Sequence, residues 1–188
     1  MTFIRILQFI LFSLMCISYI KCQCSRDKWK DAGIVPEIID EVPGELQVVY
    51  GSHSVECGEE LKRSVTEFEP TLNYSAVNYE FYTLVMIDPD APDPHKPVYA
   101  QFLHWLTVNI PGTKITEGKD LMEYMRPSPP SYSDAHRYIL LIYHQPSYIF
   151  SPSYMDGKRR SKFNMTHMVS ELGLDGPVAG NFFYTRSS

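Results

Sequence analysis

Three long stretches of this chain are apolar almost without interruption. Tyr79 to Ile87, Phe102 to Ile110 and Arg137 to Gln145 are rich in β-branched and aromatic residues, and each is bounded by Pro, Gly, Asn or Asp. Such composition predicts strands. A strand wet on one face alternates apolar with polar residues. These do not, so they are expected at the centre of a sheet covered on both sides. Leu46 to Tyr50, closed by Gly51, predicts a further strand, and Pro111-Gly112 and Asp156-Gly157 mark turns. After an arm over 23–33, Ile34 to Ile39 reads either as a turn of helix or as a short strand.

Helical signals are few. Asn164 can cap a helix over Met165 to Leu172, and Gly173 supplies a left-handed exit. Phe163 and Met168 are spaced as a hydrophobic staple. A second, shorter helix is expected around Leu121 to Tyr124, ending before Pro127. No linker divides the chain, so residues 23–188 read as one mainly β domain, β-rich α+β in class.

The first 22 residues read differently. Arg5 precedes a largely apolar run from Ile6 to Ile20 and Lys21 closes it. That run is short for a membrane span and suits a secretory signal peptide, with an uncleaved anchor as the lesser alternative. Cleavage fits after Ser18, with small Cys16 and Ser18 at the recognition positions, or after Cys22, the second being slightly favoured.

Composition then narrows the partners. The 44% apolar and 21% charged fractions are those of a globular protein. Removal of the leader through Cys22 leaves 15 basic residues against 22 acidic ones. Such a chain lacks the basic surface that nucleic acid or an anionic membrane demands, and no membrane span is expected beyond the leader. The one basic cluster, Lys158-Arg159-Arg160 with Lys162, reads as a solvated loop.

Secretion makes a disulfide possible. Cys24 and Cys57 survive either cleavage; if Cys22 is lost they can only pair with each other, and if it stays one thiol is spare. Asn73-Tyr74-Ser75 and Asn164-Met165-Thr166 are glycosylation sequons. Asn164 also has its capping role, which is expected to limit its accessibility.

Candidate chemistry gathers at the strand ends. Asp88-Pro89-Asp90-Ala91-Pro92 follows the first long strand, so a proline-stiffened turn holds two carboxylates at its mouth. His104 interrupts the second strand, and His136-Arg137-Tyr138 opens the third. Between them runs the rigid loop Arg126-Pro127-Ser128-Pro129-Pro130.

These segments, with Tyr99 before His104 and with Gly176-Pro177-Val178-Ala179-Gly180-Asn181-Phe182-Phe183, resemble the phosphatidylethanolamine-binding protein family, which includes Raf-kinase-inhibitor-like members. The likeness runs over about residues 35 to 184, and its details are most similar to secreted, insect-type members. It implies a large central, antiparallel-rich sheet packed with a smaller one, few peripheral helices, and a single small pocket for anions such as a phospholipid head group. Carried onto this chain, the pocket comprises Asp88, Tyr99, His104, Ser128 through its backbone, Pro130, His136 and Tyr138, with Phe183 as an accompanying aromatic. No cofactor or resident metal is implied, and a monomer is expected.

The residue types agree with an oxyanion ligand, because histidine, tyrosine and backbone N–H groups are donors. Asp88 either holds a histidine as imidazolium or accepts from a ligand's ammonium group. Both histidines beside it are expected to hold a proton more readily than free imidazole. The chain departs from the family pattern in three places. Phe102-Leu103-His104 stands where Trp-His-His is usual. Arg126-Pro127-Ser128-Pro129-Pro130 replaces a Gly-x-Gly-Pro-Pro loop, with Arg126 either supplying a charged fork or facing solvent. The chain stops at Ser188, where many members continue into a helix.

Three functions compete. A secreted, non-catalytic binding protein for phosphate-bearing head groups is favoured. A secreted serine-protease inhibitor or signalling modulator is the alternative, with the 126–131 or 158–162 loop as its contact. An enzyme is the remote third, with Asp88, His104 and His136 either as metal ligands of a hydrolase or as an acid–base group awaiting a nucleophile, for which neither Gly-x-Ser-x-Gly nor Cys-x-x-Cys occurs.

Overall fold

Residues 24–151 and 159–187 are described by the computed structural model. The leader and the Asp156-Gly157 turn lie outside the described residues. The elements, in order, are α1 (Arg26–Asp31), β1 (Gly44–Tyr50), β2 (His53–Ser54), β3 (Glu60–Leu61), β4 (Thr71–Tyr74), β5 (Phe81–Asp88), β6 (Phe102–Pro111), a single 3-10 turn (Ile115–Glu117), β7 (Lys119–Met122), β8 (His136–Gln145), α2 (Met165–Leu172) and β9 (Asp175–Thr185).

The three apolar stretches became β5, β6 and β8, and they form the middle of a mixed sheet in the order β2-β1-β9-β8-β5-β6-β7. β5 runs antiparallel between β6 and β8, and β8 is antiparallel to β9. β1 lies parallel to β9 only through Gly44 and Glu45. From Leu46 onward it pairs with β4, and at its end with β2, so it carries the chain from the main sheet into a smaller one.

Uniform apolarity in the central strands has its explanation in two cores. Val85, Ile87, Ile139 and Leu141 face a core that includes Trp29 of α1 and Met165 and Met168 of α2. Leu84, Met86, Leu140 and Ile142 face the opposite core, shared with Leu46, Val48 and Leu72 of the small sheet. Successive strand residues point to opposite faces, so both sets must be apolar. Each fully buried side chain of this kind contributes about 1.5–3 kcal/mol.

α2 follows its sequence signals. The Asn164 side chain accepts from the His167 N–H at 2.9 Å, Gly173 exits at φ 61°, and Phe163 and Met168 share one core. Elsewhere the structure corrects the reading. Leu121 and Met122 are strand, not helix: β7 pairs with the edge of β6, and Asp120 accepts from the Thr107 hydroxyl and the Trp105 indole. An isolated turn of helix is marginal, whereas an open sheet edge offers ready partners. The arm contains α1, capped by Ser25. Residues 34–39 form hydrogen-bonded turns, with Ile38 and Ile39 N–H groups on the Ile34 carbonyl. β5 starts at Phe81, because Tyr79 sits at φ 75° and is 97% exposed.

β9 carried no strand signal, since Gly176, Pro177 and Gly180 interrupt it. At Gly180 the reason is close approach: a Cβ there would meet Pro43 at 2.7 Å and Leu141 at 2.9 Å. Cys24 and Cys57 are bridged, tying the chain before α1 to the segment ahead of β3. Arg160 is not a solvated cation. Its guanidinium donates to the carbonyls of Leu103, His104 and Glu123 at 2.7–3.1 Å.

Candidate functional site

Antiparallel pairing puts the end of β5 beside the starts of β6 and β8. Asp88 stands opposite Phe102, and Ile87 opposite Ile139. Residues distant in sequence therefore converge. Asp88, Tyr99, His104, Ser128, Pro130, His136 and Tyr138 line one cavity of about 190 Å³. Phe183 does not line it. Register places Phe183 opposite Tyr138, and it is fully buried, stacked on that ring at 5.5 Å. It supports the wall from behind.

The two histidines differ. His136 Nδ1 lies 2.8 Å from Asp88 Oδ2, with both side chains almost wholly buried. Burial opposes a charge on His136, but the hydrogen bond and charge of Asp88, with Asp90 and the Pro92 backbone adding to them, prevail and raise its pKa. His104 goes the other way. Burial lowers its pKa and outweighs the Met125 carbonyl and Asp88, with Arg160 and His136 pushing in the same direction as burial. The expectation that both hold a proton readily is thus corrected for His104. Its Nδ1 is 2.7 Å from the Met125 carbonyl, which can only accept, so in the neutral ring Nε2 is the acceptor.

Asp88 is hydrogen-bonded to His136, the contact that the first of its two expected roles requires. Its other oxygen accepts from the Asp90 N–H at 2.7 Å. Asp90 has a separate task. Its carboxylate accepts a forked pair from the Arg137 side chain at 2.6 and 2.9 Å and a third bond from the Arg137 N–H. Arg137 reaches on to the carbonyls of Ala32 and Gly33, so this pair clamps the segment after α1 to the sheet.

Tyr138 stays protonated. Burial and the charge of Asp88 push its hydroxyl far above the ordinary value, offset in part by the Ser128 backbone. Its ring packs edge-on to His104 at 5.1 Å. Arg126 pairs with Glu67 at the rim and does not reach inward as a free fork.

Two contributors had escaped the sequence reading. Arg63 Nη2 lies 2.7 Å from Ser128 Oγ, bringing a cation from the loop after β3 to the cavity's edge. No local pattern marks it, because the contact spans the fold. Ser133 Oγ lies 2.8 Å from His136 Nε2, a Ser-x-x-His spacing visible in the chain.

Asp88, His136 and Ser133 therefore stand in line, as in a nucleophilic triad, but the protons are arranged otherwise. Ser133 Oγ is also 2.9 Å from the Asp134 carbonyl, so its proton is directed there. With the serine proton so directed, Nε2 is placed to donate to the serine oxygen while Nδ1 donates to Asp88, and the raised pKa of His136 favours that doubly protonated ring. A base ready to take the serine proton needs a free Nε2 instead. Among the described residues no group of three His, Cys, Asp or Glu is placed to hold a metal ion.

The sequence model of the phosphatidylethanolamine-binding proteins matches residues 51–183. The chain belongs to that family. A Drosophila melanogaster relative, a putative odorant-binding protein A5, is 36% identical over 163 residues, covering 84% of this chain and 78% of its own. A 26 kDa secreted antigen of Toxocara canis is 31% identical over 170 residues, with 87% and 65% covered. Among solved structures, a carboxypeptidase Y inhibitor in complex with its cognate proteinase superposes with a TM-score of 0.74 at 27% identity, over 91% of this chain and 99% of the inhibitor. In this member of the phosphatidylethanolamine-binding proteins, the strand-end cavity thus has on its walls one histidine whose pKa is lowered and one whose pKa is raised, with two arginines at its mouth.

Proposed function

We propose that this is a secreted, non-catalytic binding protein whose strand-end cavity takes small phosphate-bearing head groups, phosphatidylethanolamine's among them. The observation that carries the reading is His136, held between Asp88 and Ser133 at the cavity wall with its pKa raised by Asp88, which favours the protonated ring. An entering oxyanion meets that charge and the Tyr138 hydroxyl, and takes the Nε2–H in exchange for Ser133. Neutral His104 accepts from a donor on the same ligand, such as an ammonium group or a protonated phosphate oxygen. The size supports a head group and not an acyl chain, since pockets for drug-sized molecules run to about 300–1,000 Å³. The proton arrangement at Ser133 supports binding without turnover.

The test is calorimetric titration with phosphorylethanolamine from pH 5.5 to 8.5. A hydrogen bond from a charged donor is worth about 1.5–3 kcal/mol against about 1 for a neutral one. Affinity should therefore fall roughly tenfold as His136 loses its proton, about 1.4 kcal/mol corresponding to a factor of ten. His136→Ala should abolish that dependence. Flat affinity across the range, or hydrolysis product in the cell, would overturn the reading.

Secretion belongs to the same proposal, supported by the leader, the Cys24–Cys57 bridge and the likeness to a secreted antigen. So does glycosylation at Asn73, on the exposed face of β4, and at Asn164, whose side-chain oxygen caps α2. N-terminal sequencing of the secreted chain and a glycosidase mass shift test both. Inhibition of a protease is the second reading, favoured by the likeness to the carboxypeptidase Y inhibitor. A screen against secreted serine proteases decides it.

A further inference from the structure

Ser128 joins the inside of the strand-end cavity to its mouth. Its backbone meets the Tyr138 hydroxyl in the wall, and its exposed side-chain oxygen accepts from Arg63 Nη2 at 2.7 Å. The guanidinium therefore stands just beyond the donors that receive an oxyanion. Burial and the charge of Asp88 raise the Tyr138 hydroxyl, and the Arg63 charge is near enough to draw it partly back.

The fold holds Arg63 in that place. The turn after β3 closes on itself, with the Val65 N–H on the Lys62 carbonyl and the Thr66 N–H and hydroxyl on the Arg63 carbonyl. Thr66 is fully buried, and its own carbonyl accepts from the Tyr124 hydroxyl at 2.8 Å. Tyr124 leads directly into the Met125–Pro130 segment that lines the cavity. The turn carrying Arg63 is thus tied to the segment carrying Ser128.

Its charge is uncommitted. Arg126, also at the mouth, is paired with Glu67. Among the described residues Arg63 has no carboxylate partner, and its side chain bonds only a neutral hydroxyl. A guanidinium has several further N–H donors to offer. Asp88 is the one carboxylate among the described residues lining the cavity, and His136 occupies it. A ligand whose outer end is an ammonium group alone meets an unpaired positive charge there. One ending in a carboxylate meets a fork that matches it.

We propose that the strand-end cavity selects head groups carrying both a phosphate and a carboxylate, the phosphoserine type, over phosphorylethanolamine. The proposal rests on the head-group reading above. The phosphate sits at His136 and Tyr138, the amino group at His104, and the carboxylate extends past Ser128 to the Arg63 fork. Arg63 then decides between two ligands that differ by a single carboxylate. Free phosphoserine and the serine head group of a phospholipid offer the same chemistry.

Calorimetric titration tests it with phosphoserine and phosphorylethanolamine as monoesters, and with glycerophosphoserine and glycerophosphoethanolamine as the lipid-derived diesters. Phosphoserine should bind roughly fivefold tighter than phosphorylethanolamine, the scale of one partly exposed ion pair. A preference shared by the diesters marks a lipid head group as the source, and one confined to the monoesters marks free phosphoserine. Arg63→Gln should bring the serine-to-ethanolamine ratio to about one, while Arg63→Lys, charged but without the fork, should keep part of it. Urea midpoints of both variants should match the native protein, since the Ser128 contact is exposed. Equal affinities in the native protein, or a preference that survives Arg63→Gln, would overturn this inference alone. Failure of every one of these ligands to bind would overturn the head-group reading along with it.

Discussion

Asp88 and Asp90 stand two residues apart at the end of β5, and each is paired with a basic side chain at the start of β8. One meets His136 and the other Arg137. Similar chemistry in neighbouring positions gives different results because the cations differ. Guanidinium keeps its charge at every accessible pH and its fork reaches both the carboxylate and the carbonyls after α1, so that pair is a permanent clamp. Imidazole titrates near neutrality, so the Asp88 pair is a charge that can be withdrawn. Stability is expected to rest on the first pair and ligand affinity on the second.

Removing the clamp carries the largest expected effect. Asp90→Ala leaves Arg137 without its partner, and breaking a buried pair costs about 3–5 kcal/mol, the lower end applying because Arg137 is partly exposed. Urea denaturation should show about 3 kcal/mol lost, with phosphorylethanolamine affinity changed less than about twofold. A collapse of affinity at unchanged stability would erase the division between the pairs.

Asp88→Asn should act in reverse proportion. It removes a hydrogen bond to a charged ring, worth about 1.5–3 kcal/mol, and with it the chief cause holding His136 protonated. The His136 titration midpoint should move to lower pH, and binding at neutral pH should fall about tenfold.

The histidines sharpen the contrast without any mutation. Their NMR titration midpoints should fall on opposite sides of about 6.5, His136 above and His104 below. The consequences for stability have opposite sign. His136, raised in the fold, contributes stability that is complete below about pH 6.5 and lost as pH rises through its folded value. His104, lowered in the fold, is neutral at no cost above about pH 6.5, and destabilises as pH falls from there through its folded value. Coincident midpoints would mean that Asp88 does not distinguish them.

The smallest effect belongs to the rim. Glu67→Gln frees Arg126 from an exposed pair worth at most about 1 kcal/mol. Affinity for phosphorylethanolamine should rise by less than about fivefold, and the gain should vanish in high salt.

Local pattern was a sound guide wherever one kind of environment extends along the chain. β5, β6 and β8 were legible because two cores demand apolar residues on both faces, and α2 because Asn164 and Gly173 satisfy its own ends. Motif order brought Asp88, Tyr99, His104, Ser128, Pro130, His136 and Tyr138 to one cavity. Pattern failed where a partner elsewhere decides. Leu121 and Met122 became strand because β6 offered an edge, and β9 carries glycine where Pro43 and Leu141 press on its backbone. Phe183 was drawn behind Tyr138 by strand register, and Arg63 arrived from a distant loop.

Sequence by itself determined the strand-rich architecture, a candidate bridge between Cys24 and Cys57, and the residue types that meet at the strand ends. Tertiary structure alone decided which histidine holds its proton. His104 and His136 are the same side chain, and the difference lies in what each nitrogen meets once buried: a carboxylate for one, a carbonyl for the other. An imidazolium is stabilised far more by a negative charge than by a dipole, and burial penalises whichever ring lacks that charge.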